Sequence, residues 1–267
     1  MIKPPIARMG GKSRLRQFII SLIPNHTCYT EPFFGAGWVF FGKEPSKVEV
    51  VNDIDGELIN MFRMIKHHSN EVARLMQYEI ASRAEFDFYK GINPKYLTEI
   101  QRAIRFIYIL SQSFASRGVT FGYGTTTRPS PQIFDCSSLD MIKARLRNTY
   151  IENLDFEEIF NRYDRPHTLH FCDPPYFETD GYESPFGEKE HIRLRDILSK
   201  IKGKFIFTIN DHEKVRSWYK GFNIIEVQVT YSVAKKKEAR GKYNELIITN
   251  FDIDKPKLPL PGKDVNV

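Results

Sequence analysis

Cysteine is scarce in this chain. There are three, Cys28, Cys136 and Cys172, far apart and in no CxxC pair. An odd number at such spacing excludes a disulfide framework, and the lack of paired thiols excludes a zinc knuckle, so no metal is expected. Long apolar runs are missing as well. The longest near the start, 18–23, is interrupted by Ser21. It falls far short of the ~20 residues a membrane-spanning helix needs. The first residues, MIKPPIARMGGK, hold no apolar core of the kind a secretory leader requires. A reduced, cytoplasmic protein is the expectation. No internal repeat and no low-complexity run is visible, which sets solenoids aside.

What is present bounds the answer from the other side. Hydrophobic residues make up 41% and charged residues 27%, enough for a sizeable core and against global disorder. Lys and Arg number 39 against 33 Asp and Glu, a net +6 that leans toward a polyanionic partner. Aromatics reach 13%, with 21 Phe and 13 Tyr, rich for an ordinary domain.

Three textures follow one another. Up to about residue 55, short β-prone runs at 27–30 and 48–52 are each followed by acidic or glycine residues, which reads as strand, turn, helix, strand. From Gly56 to about Arg147 the chain reads as helical. Leu58, Met61, Phe62 and Ile65 repeat at helical spacing, as do Ile100, Ala103, Ile104, Ile107, Leu110 and Phe114 behind the N-cap candidate Thr98. Within that zone, 116–130 changes to glycine, threonine, aromatic and basic residues, a long loop or hairpin. The last zone returns to strands at 149–153, 168–172, 205–210, 224–229 and 245–249, with helices at 191–201 and 212–219. The tail 254–267 carries three prolines and reads as a wrapping or fraying end. The expected architecture is an α/β sheet formed by 1–55 and 148–267, split by a mostly helical insertion at 56–147 with a basic hairpin near 115–130.

The sharpest motif is Asp173-Pro174-Pro175-Tyr176, directly after the strand run 168–172. In open α/β sheets ligands sit beyond the carboxyl ends of strands. The chemistry suits methyl transfer to an exocyclic amine, whose lone pair is delocalised into its ring. A carboxylate (Asp173) accepting one N–H and a rigid carbonyl (Pro174) accepting the other draw the nitrogen toward tetrahedral geometry. Tyr176 would stack on the base. The bland alternative is a strand-terminal turn that happens to hold two prolines.

A second motif, Glu31-Pro32-Phe33-Phe34-Gly35-Ala36-Gly37, follows the first strand run. Glycines there permit a tight turn and close backbone approach to a ligand, though the spelling is not GxGxxG. The run 48–52 then enters Asp53, where an acidic residue accepts hydrogen bonds from ribose hydroxyls. Asp155 follows a third strand run. Gly10-Gly11-Lys12-Ser13 is not a Walker A loop, because the position five before Gly11 is Ile6. It leaves a ligand-binding turn or a plain helix start with Lys12 in solvent.

ARMGGK, EPFFGAG, VNDID, DPPY and the closing NELIITN occur in one order. In that order the chain resembles the Dam-like (D12, alpha-class) DNA N6-adenine methyltransferases over nearly its whole length. The resemblance implies a Rossmann-like methyltransferase sheet with an inserted target-recognition domain, S-adenosyl-L-methionine as methyl donor and double-stranded DNA as partner. It implies that Phe33, Gly35 and Gly37 line the donor's methionine end, that Asp53 holds its ribose and that Asp155 with Phe156 flank its adenine. Met9 and Lys12 would lie near donor and target, and Asp173, Pro174 and Tyr176 would hold a flipped adenine. Two places depart from the family pattern. The hairpin reads SFASRGVTFGYGTTTR rather than the spelling of GATC methylases, and Arg8 stands where the first motif usually has an aromatic.

Base flipping costs a few kcal/mol, and stacking on an aromatic returns ~1–3 kcal/mol. Phe121 or Tyr123 would fill the opened stack, and Arg117 and Arg128 would meet base edges or phosphates. The competing reading is a solvated turn whose aromatic anchors it to the helices. Lys235, Lys236 and Lys237 open a run with five positive charges in eight residues, suited to phosphates. The function classes kept open beside a site-specific DNA adenine methyltransferase are an RNA or protein-glutamine methyltransferase and a non-catalytic DNA-binding relative. The acidic first residue of the DPPY turn favours the exocyclic amine of a base.

Overall fold

Apolar runs bounded by acidic or glycine turns become strands, and their unbroken burial shows the kind of sheet they build. The computed structural model describes residues 2–6, 12–123, 134–178, 186–230 and 242–253. Among them the strands are β1 (Cys28–Glu31), β2 (Val48–Asn52), β3 (Thr149–Glu152), β4 (Thr168–Cys172), β5 (Lys204–Asn210), β6 (Asn223–Thr230) and β7 (Lys242–Thr249). β1 and β4 are buried along their whole length, as is β5 at all but its two end residues. Such two-sided burial is the mark of a parallel sheet covered on both faces.

The chain divides into two compact units. One comprises 12–34, 43–52 and 154–267, and carries six of the seven strands in the order β2-β1-β4-β5-β7-β6. β1 pairs in parallel with β2 and β4, and β4 with β5, whereas β7 runs antiparallel between β5 and β6. The strand order therefore reverses at β1, so the loops leaving β1 and β4 bracket a topological switch point. Helices α1 (Arg16–Ser21), α7 (Phe156–Tyr163), α8 (Glu188–Leu198) and α9 (Glu213–Trp218) belong to this unit. Phe156, Phe160, Leu194, Phe207 and Tyr219 are among the side chains of its core.

Inside β4, His170 is a buried polar residue with partners on both sides. It meets Thr30 Oγ1 at 2.7 Å and Asp164 Oδ1 at 3.4 Å. Asp164 also accepts the N–H groups of Lys202 and Gly203, each at 2.8 Å, and so fixes the entry into β5.

The other unit comprises 1–11, 35–42 and 53–153. It holds α2 (Trp38–Gly42), α3 (Gly56–Met76), α4 (Arg83–Gly91), α5 (Glu99–Gln112), α6 (Leu139–Leu146) and β3. Asp55 caps α3 by accepting from Glu57 and Leu58 N–H, and Thr98 caps α5 in a capping box with Gln101. The helical periodicity faces inward as its spacing requires, with Leu58, Met61, Phe62 and Ile65 all buried. Beyond α5 the chain turns back through an antiparallel bridge, Ser113 to Phe121, with Phe114 N–H donating to Thr120 at 2.8 Å and Gly122 N–H to Gln112 at 2.7 Å. The remainder of the expected hairpin, including Arg128, lies outside the described residues, as does the proline-bearing tail.

Candidate active site

The turn after β4 is gripped from several directions. Asp173 Oδ1 lies 2.6 Å from Lys12 Nζ and accepts the Thr208 hydroxyl at 2.8 Å. Both bonds fall on one oxygen, and among the described residues Oδ2 accepts none. The same Lys12 ammonium sits over the Tyr176 ring, 4.6 Å from its centroid. At 4% exposure Lys12 is no solvated lysine at a helix start, which corrects that alternative, and α1 begins only at Arg16. Burial pushes the Asp173 carboxyl up from its ordinary value, against the pull of Lys12 and Thr208, while Glu245 pushes with the burial.

Behind the turn, β5 and α8 supply supports that sequence reasoning missed. Asn210 Oδ1 accepts the N–H of Phe177 at 3.0 Å, and its Nδ2 donates to the Phe177 carbonyl at 2.8 Å. His191 is fully buried, meets Phe177 and Phe186 edge-on and stacks parallel to Trp218. Burial takes its pKa down to about 4, opposed by the Pro175 carbonyl, so the imidazole is neutral at neutral pH. The signal available in sequence was slight, an alternating Thr-x-Asn at the end of an apolar run. Its meaning depends on β5 lying beside β4.

On the β1 side, the carboxamide of Asn52 donates to the carbonyls of Pro32 (2.9 Å) and Leu154 (3.0 Å) and accepts the Leu154 N–H at 2.8 Å. The Asn52 carbonyl accepts Phe34 N–H at 2.8 Å. Phe33 packs on Phe156 with ring centroids 5.3 Å apart. Arg193, also unforeseen, lies 4.2 Å over the Phe156 ring and reaches Asp155 Oδ2 at 2.6 Å. Asp155 in addition caps α7 through Glu157 N–H at 3.0 Å.

In the other unit, Gly35 and Gly37 have φ of 51° and 75°, the left-handed region where glycine carries no steric penalty. Gly35 N–H donates to Asp53 Oδ2 at 2.8 Å, and Asp55 N–H to Asp53 Oδ1 at 3.0 Å, so the carboxylate is oriented by backbone. A Cβ at Gly35 would meet nothing within 4 Å. Within this unit, an oriented carboxylate beside open glycine backbone is an acceptor suited to the hydroxyls of a ribose.

For the expected DNA contacts, Arg117 is exposed and Tyr123 is 72% exposed, whereas Phe121 packs edge-on against Phe86 at 5.7 Å. Arg83, absent from the sequence reading, lies 5.0 Å over Phe121 and 5.3 Å over Tyr123. Met9, Lys235, Lys236 and Lys237 lie outside the described residues. Among the described residues no cluster of His, Cys, Asp and Glu is placed to hold a metal, and no helix is long and apolar enough to cross a membrane.

The strand order, with its reversal at β1 and the acidic turn closing β4, is that of the Rossmann-like methyltransferases. Within that class, the sequence model of the D12 class N6 adenine-specific DNA methyltransferases matches residues 9–233, and the chain belongs to this family. It is 29% identical to Type II methyltransferase M1.LlaDCHI of Lactococcus lactis subsp. cremoris, over 94% of this chain and 96% of that one. It is 26% identical to a DNA adenine methylase of Haemophilus influenzae, over 92% of each chain. To the DNA adenine methylase of Escherichia coli strain K12 it is 25% identical, over 95% of this chain and 96% of that one. Its activity is accordingly DNA adenine methylation.

Proposed function

We propose that the chain transfers the methyl group of S-adenosyl-L-methionine to N6 of an adenine flipped out of duplex DNA at a specific site. The observation that carries this is the single environment of Lys12 Nζ, hydrogen-bonded to Asp173 and seated on the face of Tyr176. Asp173 thus already accepts a nitrogen-borne hydrogen on one carboxylate oxygen, beside the face of Tyr176. With Lys12 and Thr208 both on Oδ1, Oδ2 accepts one N–H of the adenine amine and the Pro174 carbonyl accepts the other. The two acceptors draw the nitrogen lone pair out of the ring plane. Bound beside them, the donor supplies a methyl group on a positively charged sulfur. The N–CH3 bond would form as the donor's S–CH3 bond breaks and the donor leaves as its neutral thioether. The nitrogen would then give up one proton, for which Asp173 Oδ2 is the candidate acceptor, its basicity raised by burial.

Asp53 holds the donor's ribose, Phe33, Gly35 and Gly37 line its methionine end, Asp155 with Phe156 flank its adenine, and Met9 and Lys12 lie near donor and target. Residues 56–147 form the target-recognition insertion. Arg117, Phe121, Tyr123, Arg128 and Lys235–Lys237 serve the DNA, with Arg83 added because it shares an aromatic platform with Tyr123. Phe121, packed on Phe86, serves as the platform's base.

Incubation with labelled S-adenosyl-L-methionine and unmethylated plasmid DNA is expected to place label on adenine N6. Asp173→Ala is expected to lower turnover by at least about a thousandfold, the scale of losing an electrostatic stabiliser aimed at the reacting group. Donor binding by calorimetry is expected to persist. Normal turnover in that variant would remove Asp173 from the chemistry.

A further inference from the structure

Two asparagines stand at the carboxyl ends of two strands in the same unit and do the same thing with their side chains. Asn52 ends β2 and Asn210 ends β5. Each uses its carboxamide like a short piece of strand, with the oxygen accepting a backbone N–H and the nitrogen donating to the carbonyl of that same residue. For Asn52 the residue is Leu154, at 2.8 and 3.0 Å, with Pro32 taking a further bond at 2.9 Å. For Asn210 it is Phe177, at 3.0 and 2.8 Å.

What each clamp fixes is different. Leu154 precedes Asp155 and Phe156, and Pro32 precedes Phe33, so the Asn52 carboxamide joins the two loops that set Phe33 against Phe156. It is 1% exposed, so those bonds have no water to replace them. Phe177 follows Tyr176, and the next residue, Glu178, is held at φ 47°, a strained conformation for a side chain of this kind. Two residues before Asn210 on the same strand, Thr208 holds Asp173. Alternate residues of a strand share a face. The end of β5 therefore pins the catalytic turn at both ends, Asp173 by Thr208 and Phe177 by Asn210.

We infer that Asn52 and Asn210 are a pair of positioning residues with divided labour, Asn52 setting affinity for the methyl donor and Asn210 setting the rate of methyl transfer. The inference rests on the proposed assignment of Phe33, Phe156 and Asp173.

The test is a double dissociation. Donor affinity is measured by titrating S-adenosyl-L-methionine into each variant in a calorimeter. Transfer is measured as the single-turnover rate at saturating labelled donor on unmethylated plasmid DNA. Asn210→Ala is expected to slow transfer about 10- to 100-fold, with donor Kd within about threefold of wild type. Asn52→Ala is expected to weaken donor binding about tenfold or more, with the transfer rate at saturation largely kept. If either alanine variant fails to fold, Asn210→Ser and Asn52→Ser serve, being uncharged and still able to donate or accept a hydrogen bond. They are expected to show the same split in weaker form. Equal losses of affinity and rate in both variants would make the clamps general scaffolding and overturn the inference, as would wild-type values in either. Asp173→Ala run in parallel separates the two levels. If that variant transfers normally, the site assignment fails. If it is inactive while Asn210→Ala is normal, only the present inference fails.

Discussion

A carboxylate that grips an amine by accepting its N–H must be ionised, yet the place that makes its grip effective favours the proton. Asp173 sits in that conflict. Burial raises its pKa, and the Lys12 ammonium and the Thr208 hydroxyl pull it back. An acid whose pKa is raised on folding binds its proton more tightly in the native state. Ionised Asp173 therefore burdens the fold, and the burden eases as pH falls through the raised pKa. On the proposed assignment the sign for the reaction is the reverse, and transfer is expected to be lost as pH falls through that same value. The acid limb of the single-turnover rate is accordingly expected above the usual carboxylate range. Thr208→Val removes one of the two stabilisers of the anion without removing the side chain's bulk, and is expected to move that limb to higher pH. An unmoved limb in a folded variant would mean that Thr208 does not tune Asp173. Asp173, Tyr176 and Lys12 were legible as motif letters. Thr208, Asn210, Asn52's grip and Arg193 were not, because each acts on a residue brought near by strand pairing or helix packing and separated from it in sequence by between 20 and 102 residues.

At the scale of elements, the strands were readable as short β-prone runs ending in acidic residues or turns, and β2 and β4 fall where those runs do, although Glu49 and His170 interrupt their apolar character. Their order was not readable. That β7 slots antiparallel between β5 and β6 depends on pairings such as Ile206 with Thr249 and Ile224 with Ile248, which no local pattern encodes. The loop after α5 reads as aromatic and basic, but only the fold shows Phe121 turned onto Phe86 with Tyr123 left exposed. Nor did anything in the sequence distinguish Gly203 from its fellows. At the entry to β5, a Cβ on Gly203 would lie 2.6 Å from the Thr168 carbonyl and 2.9 Å from that of Arg165, both backbone atoms of the neighbouring strand and its approach. Backbone there has nowhere to move, since Asp164 ties the same turn down through Lys202 and Gly203 N–H. Gly203→Ala is expected to destabilise by about 2–4 kcal/mol, as overpacking against rigid structure does. Gly91→Ala, at the end of α4 where a Cβ meets nothing within 4 Å, is expected to stay within about 0.5 kcal/mol of wild type. Denaturant melts of the two side by side check this, and equal stabilities would show that the turn at Gly203 yields.

At the scale of the whole molecule, charge is the property that no single motif carries. An excess of 39 basic over 33 acidic residues is small for a protein that acts on a polyanion. Affinity for DNA therefore depends on where the cations lie more than on how many there are. The run beginning Lys235-Lys236-Lys237 concentrates five of them in eight residues, the last of them Lys242 at the start of β7. Phosphate contacts release counterions, and each one steepens the fall of log affinity with log salt by about 0.9. If all three lysines meet phosphates, replacing them together by alanine reduces that slope by about 2.7 and weakens binding to every duplex alike. Tyr123→Ala acts through a different force. If Tyr123 stacks on a base, as proposed, its loss is expected to lower affinity by about 1–3 kcal/mol and to leave the salt slope unchanged. Titrations of labelled duplex over a series of salt concentrations separate the two effects in one experiment. A triple variant that keeps the wild-type slope places those lysines away from the phosphates. A Tyr123 variant that changes the slope would mean the ring works by holding a cation, with Arg83 the nearest candidate.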